Sequence, residues 1–307
     1  MLIKLSANDV SRLNWFGIKP AVAAILSAPL INPLAQLVGR AALPDRIAHR
    51  LPLAHRHVDY RLENGESVRL LDPRRDTIAR DIHWGGGRPT SPAERRKLRC
   101  IERLSESAAT FLDIGAYAGF YALIAARANP DLSAIAYEIV PENYFLLERN
   151  IVENDLVGRV RAKLRGIGDK PGAVRLPATM GAASLMTSMS LGSRFDDGVA
   201  IPVTTLDAET RELNGPFLMK IDVEGFERQV FAGAAEFLTE YRPDVVCEIL
   251  PGADEACRSI EAMVRPLGYR TFTFEDDAVA EHAELAPTPK LRDWLITARA
   301  DIDSILA

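Results

Sequence analysis

Residues 111–119 constrain the fold more than any other segment, because they join a strand-like apolar run to a glycine turn. They read Phe-Leu-Asp-Ile-Gly-Ala-Tyr-Ala-Gly, so the run ends in Asp-x-Gly-x-x-x-Gly. Gly115 lacks a Cβ atom, which lets the chain turn tightly and lets a ligand approach the backbone. The apolar spacing of residues 118–128 predicts a helix whose first N–H groups point into the turn. Strand, glycine turn and helix together predict an α/β fold.

A second strand is predicted at residues 133–138, and it ends at Glu138. A carboxylate there can accept hydrogen bonds from two ribose hydroxyls. The dinucleotide fingerprint Gly-x-Gly-x-x-Gly would need glycines where Tyr117 and Phe120 stand, which argues against a nicotinamide cofactor. The observed spacing resembles motif I of class I methyltransferases, which bind S-adenosylmethionine (SAM). From this turn alone, a plain strand–helix connection or a site for another nucleotide stays the alternative.

A longer resemblance rests on residues 217–227, which read Phe-Leu-Met-Lys-Ile-Asp-Val-Glu-Gly-Phe-Glu. With residues 111–119 and Tyr-Glu-Ile-Val-Pro-Glu-Asn at 137–143, this segment resembles the FkbM family of SAM-dependent methyltransferases. The supporting pieces are Asn150, Asn154, Val-Thr-Thr-Leu-Asp at 203–207 and Pro-Asp-Val-Val-Cys-Glu-Ile at 243–249. The resemblance covers roughly residues 76–300.

The resemblance implies a Rossmann-like class I methyltransferase with a mostly parallel seven-stranded sheet and helices on both faces. Residues 93–307 would form this domain, and residues 1–92 a helical and β-hairpin extension. SAM is the implied cofactor, and the implied acceptor is a hydroxyl of a sugar, glycolipid or secondary metabolite. The residues expected to bind SAM are Asp113, Gly115, Ala116, Tyr117, Gly119, Glu138 and Asn143.

Strands and helices alternate through the second half of the chain, which predicts a parallel sheet with crossover helices. The expected strands cover residues 110–114, 133–138, 160–166, 217–221, 244–250, 269–274 and 294–298. The last two would pair as an antiparallel edge. One continuous helix is expected over residues 226–239.

Three connections carry clear turn or loop signals. Asn64-Gly65 lies between two short strand-like runs and predicts a hairpin with a type I′ turn. Residues 81–92 are expected to form a loop because they contain three consecutive glycines, and His83 within it is a weaker candidate base. Residues 170–205 form a long Gly-, Ser- and Met-rich insertion with strand character at both ends, which is typical of a lid or binding loop.

Candidate catalytic groups follow the fourth core strand. Methyl transfer to a hydroxyl requires alignment of donor and acceptor and removal of the acceptor's proton. Asp222 and Glu224 are the carboxylates proposed for this role, and Lys220 would position the acceptor or pair with an acid. Glu224 could instead cap the following helix. Asp222 with Glu248 could bind Mg²⁺, although no metal is the favoured interpretation.

The composition limits partners and compartment. The net charge of −5 argues against nucleic acid as a substrate, and three cysteines without metal-ligand spacing fit a reducing cytoplasm. Residues 20–39 carry no charge, but Pro29 and Pro33 interrupt them, so packing is favoured over a membrane span. A homodimer or a peripheral membrane contact through residues 16–42 stays open.

Two further functions compete with a methyltransferase. One is a binding module that keeps the SAM fold without catalysis and contacts a partner through its apolar N-terminal region. The other is a nicotinamide-dependent oxidoreductase. Retention of Asp113, Gly115, Glu138 and Asp222 in one chain favours the enzyme.

Overall fold

A computed structural model describes residues 15–28, 31–33, 35–37, 51–176 and 198–306. The chain divides into two compact units, one from residues 1–60 and 70–90 and the other from residues 61–69 and 91–307. The predicted boundary between residues 92 and 93 stays a prediction. Within the described residues, no helix is both long and apolar enough to cross a lipid bilayer.

The first unit contains helices α1 (Trp15–Leu26) and α2 (Thr77–Trp84). Asp76 caps α2, because its side chain accepts hydrogen bonds from the N–H groups of Ile78 and Ala79. The expected loop over residues 81–92 is therefore wrong in its first four residues, which are helical. The side chains of Ile82 and Trp84 are buried, and the helix continues up to Gly85.

A hairpin joins strands β1 (His57–Arg61) and β2 (Ser67–Leu71). The hairpin is confirmed, but its turn differs from the predicted type I′. Leu62 N–H donates to Glu66 O, and Gly65 N–H donates to Leu62 O, which closes a three-residue loop. Within this loop only Gly65 has a positive φ, of 90°. Asn64 therefore lies in an ordinary turn that ends in a glycine bulge.

The second unit is built on an eight-stranded sheet with the order β12-β11-β13-β10-β9-β3-β4-β5. Its strands are β3 (Thr110–Ile114), β4 (Ser133–Glu138), β5 (Val160–Leu164), β9 (Phe217–Ile221), β10 (Asp244–Glu248), β11 (Arg270–Phe274), β12 (Val279–His282) and β13 (Asp293–Thr297). Five neighbouring strands are parallel, in the order β10, β9, β3, β4 and β5. Strand β13 runs antiparallel to both of its neighbours, β10 and β11. The α/β class and the parallel core are confirmed. The sheet exceeds the predicted seven strands by the edge strand β12, which pairs with β11.

Helices connect these strands, and the central strands are buried. The helices of this unit are α3 (Pro92–Ser105), α4 (Phe120–Ala128), α5 (Pro141–Glu153), α6 (Leu206–Glu209), α7 (Glu227–Ala232), α8 (Ala235–Tyr241), α9 (Asp254–Val264) and α10 (Ile302–Leu306). Every residue of β3 and β9 is buried. A large apolar core cluster of the unit includes Met219 and Phe231.

The expected single helix over residues 226–239 is wrong, because it breaks at Gly233 between α7 and α8. A Cβ atom at Gly233 would lie 2.0 Å from Gly168 O, so the two backbones meet too closely for a side chain. Gly233 O accepts a hydrogen bond from Asp207 N–H. The Asp207 carboxylate then accepts from the N–H groups of Glu236 and Phe237 and so starts α8.

A small sheet with the order β6-β8-β7 accompanies the large one. It consists of β6 (Gly166–Ile167), β7 (Gly172–Leu176) and β8 (Val199–Thr204). The last two bracket the predicted insertion, and their strand character is confirmed. Residues 177–197, which carry most of the proposed lid, lie outside the described residues.

Candidate active site

The turn after β3 depends on two glycines. Gly115 has a φ of 78°, and a Cβ atom there would lie 1.8 Å from Asp222 O. Gly119 has a φ of 84°, and a Cβ atom there would lie 2.2 Å from Leu147 Cδ1. The backbone conformation therefore favours glycine at both positions, and at Gly115 the Asp222 backbone also leaves no space for a side chain. The loops after β3 and β9 meet at Gly115.

Asp113 at the end of β3 is fully buried and fixes the start of α4. Its Oδ2 atom accepts a hydrogen bond of 3.1 Å from Ala122 N–H. Its Oδ1 atom has no hydrogen-bond partner and lies 3.6 Å from the Lys220 ammonium. Burial raises the pKa of Asp113, and Lys220 opposes this shift. Asp113 therefore sits beneath the turn as an internal anchor.

Glu138 at the end of β4 ties the same turn to the next strand. Its Oε2 accepts from Tyr117 N–H and its Oε1 from Val140 N–H, both at 2.7 Å. Burial raises the pKa of this carboxyl, and the backbone N–H donors lower it in part. Each carboxylate oxygen keeps further acceptor capacity. The geometry therefore leaves Glu138 able to accept from a vicinal diol, as ribose presents.

Of the other predicted SAM-binding residues, Ala116 and Tyr117 lie within this turn. Ala116 is buried, and its N–H donates to Tyr137 O. Tyr117 has a φ of 51°, an uncommon conformation for a residue with a side chain. Asn143 is half-buried in the first turn of α5.

Asn150 and Asn154, which supported the family resemblance, serve packing in this structure. The Asn150 side chain donates to Ala118 O at 2.8 Å, immediately beside the glycine turn. The Asn154 amide exchanges hydrogen bonds with both the N–H and the C=O of Arg69. Both side chains are buried and tie separate parts of the second unit together.

Three charged groups cluster at the end of β9. The Lys220 ammonium donates to Gly115 O at 2.9 Å and lies 3.4 Å from the Asp222 carboxylate. Burial alone would lower the pKa of Lys220, but Asp222 and Asp113 outweigh it and raise the pKa. The lysine is thus held as a cation. Asp222 follows the strand with about a third of its side chain exposed, so its carboxylate is open to a ligand.

Glu224 lies in a strained part of the next loop. Its φ is 52°, in the left-handed region that residues with side chains rarely adopt. Burial and the charge of Asp222 raise its pKa, while Arg292 and Lys220 lower it. The charges that act on Glu224 are thus those of Asp222, Lys220 and Arg292, at the carboxyl ends of the central strands. The predicted alternative, in which Glu224 caps the following helix, has no hydrogen bond to support it in the described loop.

Glu227 takes the helix-start role instead. Its Oε1 atom accepts from Gly225 N–H at 2.9 Å, while its Oε2 atom is buried without a hydrogen-bond partner. Burial raises the pKa of Glu227, and the N–H of Gly225 lowers it in part. This residue thus braces the loop that carries Asp222 and Glu224.

Glu248 ends β10 opposite Asp293, the first residue of β13. Burial and the charges of Asp222 and Asp293 raise its pKa to about 8, although Arg292 lies 3.1 Å from the carboxylate. Among the residues that the structure describes, no group of three or more His, Cys, Asp or Glu side chains could hold a metal ion. The cations beside Asp222 and Glu248 are Lys220 and Arg292, so the structure gives the Mg²⁺ alternative no support.

A neighbouring ion cluster escaped prediction from sequence. Lys97 on α3 lies 2.7 Å from Glu94 and 2.8 Å from Asp293, and the Tyr121 hydroxyl donates to Glu94 at 2.8 Å. The Glu94–Lys97 spacing signals only a helical ion pair. No local pattern connects it to Asp293, which comes close only through the sheet topology.

His83, the weaker candidate base, lies in the first unit. Its Nε2 atom is 3.0 Å from the Asn32 amide nitrogen, and its ring centroid lies 4.7 Å from that of His55, with the two rings tilted by 40°. Burial and then His55 lower its pKa to about 4. These contacts satisfy the ring within its own unit.

The strand order, with the glycine turn after the first core strand and a reversed last strand, is that of a Rossmann-like class I methyltransferase fold. Sequence comparison then narrows the class. The sequence model described as "Methyltransferase FkbM domain" matches residues 113–272, more than half of the chain, and the protein belongs to this family.

Individual relatives are more distant. The methyltransferase sdnD of Sordaria araneosa is 27% identical over 206 residues, which cover 57% of this chain and 76% of that protein. The crystal structure of methyltransferase FkbM from Methylobacillus flagellatus is 14% identical, with a TM-score of 0.42, over 89% of this chain. This chain spans only 60% of that structure's length. An O-methyltransferase from Bacillus cereus in complex with SAH is 12% identical, with a TM-score of 0.41, over 67% of this chain and 80% of its own.

Proposed function

We propose that the protein is a SAM-dependent O-methyltransferase whose acceptor is a hydroxyl of a sugar, glycolipid or secondary metabolite. The observation that carries the proposal is the partly exposed Asp222 carboxylate, placed beside the glycine turn and paired with Lys220. A hydroxyl is a weak nucleophile and needs a base at the moment of transfer. Asp222 supplies a base at the edge of the sheet where ligands bind in this class of fold.

The residues around the turn suit SAM. The free acceptor capacity of Glu138 suits two ribose hydroxyls, and the glycines at 115 and 119 bring backbone close to a ligand. The further residues proposed to bind SAM are Asp113, Ala116, Tyr117 and Asn143. When bound, SAM supplies a methyl group already activated by its sulfonium sulfur.

The protein's own part in the reaction is alignment and proton removal. Asp222 would accept the hydroxyl proton as the oxygen forms its new bond to carbon, and Lys220 would hold that carboxylate in place. Glu224 shares the same charged neighbourhood and would contact the acceptor from the strained loop. No metal is needed to lower the acceptor's pKa in this arrangement, because a carboxylate base is present.

The setting proposed for this activity is the cytoplasm, with a small-molecule or glycan acceptor and no nucleic acid. Cys100, Cys247 and Cys257 are free and buried, which suits a reducing compartment. Ile25, Ile31 and Leu37 expose apolar side chains in the first unit. They support the proposal of a homodimer or a peripheral membrane contact through residues 16–42.

The test combines SAM calorimetry with transfer from tritiated SAM to methyl glycosides, a glycolipid extract and hydroxylated aromatic compounds. We expect wild-type protein to bind SAM and to label a hydroxyl in one of these classes. Asp222→Asn should keep SAM affinity and thermal stability but lose turnover by about 10²-fold or more, the scale of a lost general base. Asp277→Asn, an exposed carboxylate, is the matched control. Near-normal turnover of Asp222→Asn would remove Asp222 from the mechanism.

A further inference from the structure

The Lys220 ammonium lies where the loops after β3 and β9 meet. Lys220 and Asp113 are register partners on adjacent parallel strands. The ammonium donates to Gly115 O at 2.9 Å, and the carboxylates of Asp222 and Asp113 lie 3.4 and 3.6 Å away. An ammonium has three donors. The ammonium is thus hydrogen-bonded to the turn and ion-paired with two carboxylates, and only 7% of the side chain is exposed.

The ring of Tyr121 fixes this ammonium from the α4 side. Lys220 Nζ lies 5.1 Å from the ring centroid and Lys97 Nζ lies 5.4 Å from it. The Tyr121 hydroxyl donates to Glu94, which also pairs with Lys97. Attraction between a cation and an aromatic ring is strengthened where water is excluded, and Tyr121 is buried. The tyrosine thus links the lysine to the neighbouring ion cluster.

We propose that Lys220 is a positioning residue that locks the SAM turn to the acceptor-side loop and does not touch the acceptor. The inference rests on the proposed function. Its carbonyl partner, Gly115, is the residue on which the turn depends, and its carboxylate partner, Asp222, is the proposed base. The compact ammonium suits this place, because one point charge serves three oxygens from different directions. Lys220 therefore sets the distance between donor and base.

The experiment uses the full chain. It distinguishes whether Lys220 holds the glycine turn in place or only balances the charge of Asp113. Lys220→Met removes the donor but leaves the buried Asp113 carboxylate without its cation. The double variant Asp113→Asn/Lys220→Met removes that charge as well, and Asp113→Asn alone is its reference. Lys290→Met, at an exposed lysine, is the matched control. Amide hydrogen exchange of residues 112–122 and SAM calorimetry are measured for each.

We expect the double variant to exchange the amides of the turn at least ten-fold faster than Asp113→Asn and to bind SAM at least ten-fold more weakly. Tyr121→Leu should also speed amide exchange of the turn and weaken SAM binding, but by less than the double variant does. Unchanged exchange in the double variant overturns the inference, because the lysine would then only balance charge. Loosened exchange with unchanged SAM affinity overturns it too. If wild-type protein binds no SAM, the proposed function fails, and the ligand-free exchange still decides whether Lys220 holds the turn.

Discussion

At the scale of single residues, Glu138 has both a structural and a binding task. Its two oxygens already accept from the N–H groups of Tyr117 and Val140. Their remaining lone pairs are those proposed for ribose. Glu138→Ala should weaken SAM binding by about 1–3 kcal/mol, the range for lost hydrogen bonds to a buried charged group. Calorimetry measures this loss against Glu255→Ala, a highly exposed carboxylate. Equal SAM affinity in Glu138→Ala and wild type would place the ribose elsewhere.

Glu248 is the residue through which pH should act on stability. Its pKa in the folded protein is raised to about 8, mainly by burial and by Asp222 and Asp293. A carboxyl in the unfolded chain titrates near 4.3. Between these values the folded state keeps a proton that the unfolded state has lost, so stability falls as pH rises. The stabilising contribution of the neutral carboxyl is fully present below about pH 4 and is lost as pH rises through about 8.

The corresponding variant is Glu248→Gln, which keeps the shape and cannot ionise. We expect the excess of its free energy of unfolding over that of wild type to grow by roughly 4 kcal/mol between pH 5 and pH 9. Urea unfolding at pH 5, 7 and 9 measures the difference. Glu281→Gln, on an exposed pair with Arg270, should show no such rise. Parallel stability curves for Glu248→Gln and wild type would show that Glu248 is ionised in the folded protein at neutral pH.

At the scale of elements, the buried strands could be predicted from sequence and the contacts between distant segments could not. The predicted bounds of β3, β4 and β9 agree with the structure, because each is an apolar run followed by turn residues. The break at Gly233 depends on the Gly168 backbone. Strand β12 is only partly buried, and its sequence lacks the strong alternation of apolar and polar residues that predicts a strand.

The candidate site divides in the same way. The glycine turn, Glu138 and Asp222 can be proposed from the sequence because their signals are local. Asp113, which pairs with Lys220, lies on β3, and Asp293, which faces Glu248, lies on β13, so these two pairings need the sheet register. The Asp293–Lys97 pair joins α3 to β13, and no spacing rule connects them.

The turn after β3 gives a prediction about an element. Gly115→Val should destabilise the protein by about 3 kcal/mol or more, because the new side chain meets the Asp222 backbone and the φ is positive. SAM binding should be lost with it. Gly172→Val on β7 is the control, since a Cβ atom there meets nothing within 4 Å. Thermal unfolding and SAM calorimetry measure both effects, and a stable, SAM-binding Gly115→Val protein would contradict the close approach of the two loops.

At the scale of the whole molecule, the net charge of the protein helps to decide which class of methyl acceptor it can bind. The chain carries a net charge of −5, whereas nucleic-acid binding relies on clustered cations that neutralise phosphates. The edge strand β5 does carry Lys163, and Arg165 follows it. Both pair with the buried carboxylate of Glu209, which also accepts from the Tyr137 hydroxyl. This positive strip is therefore compensated from within the protein.

We accordingly expect no appreciable binding to RNA, with dissociation constants weaker than about 10⁻⁴ M at physiological salt, the upper end of non-specific affinity. Fluorescence anisotropy with a labelled single-stranded and a labelled duplex RNA at two salt concentrations measures this. Glu209→Gln should strengthen binding at low salt, because it leaves Lys163 and Arg165 without their carboxylate. This variant shows that the assay detects a newly exposed positive charge. Micromolar wild-type affinity that falls steeply with salt would instead make a nucleic acid the acceptor to test first.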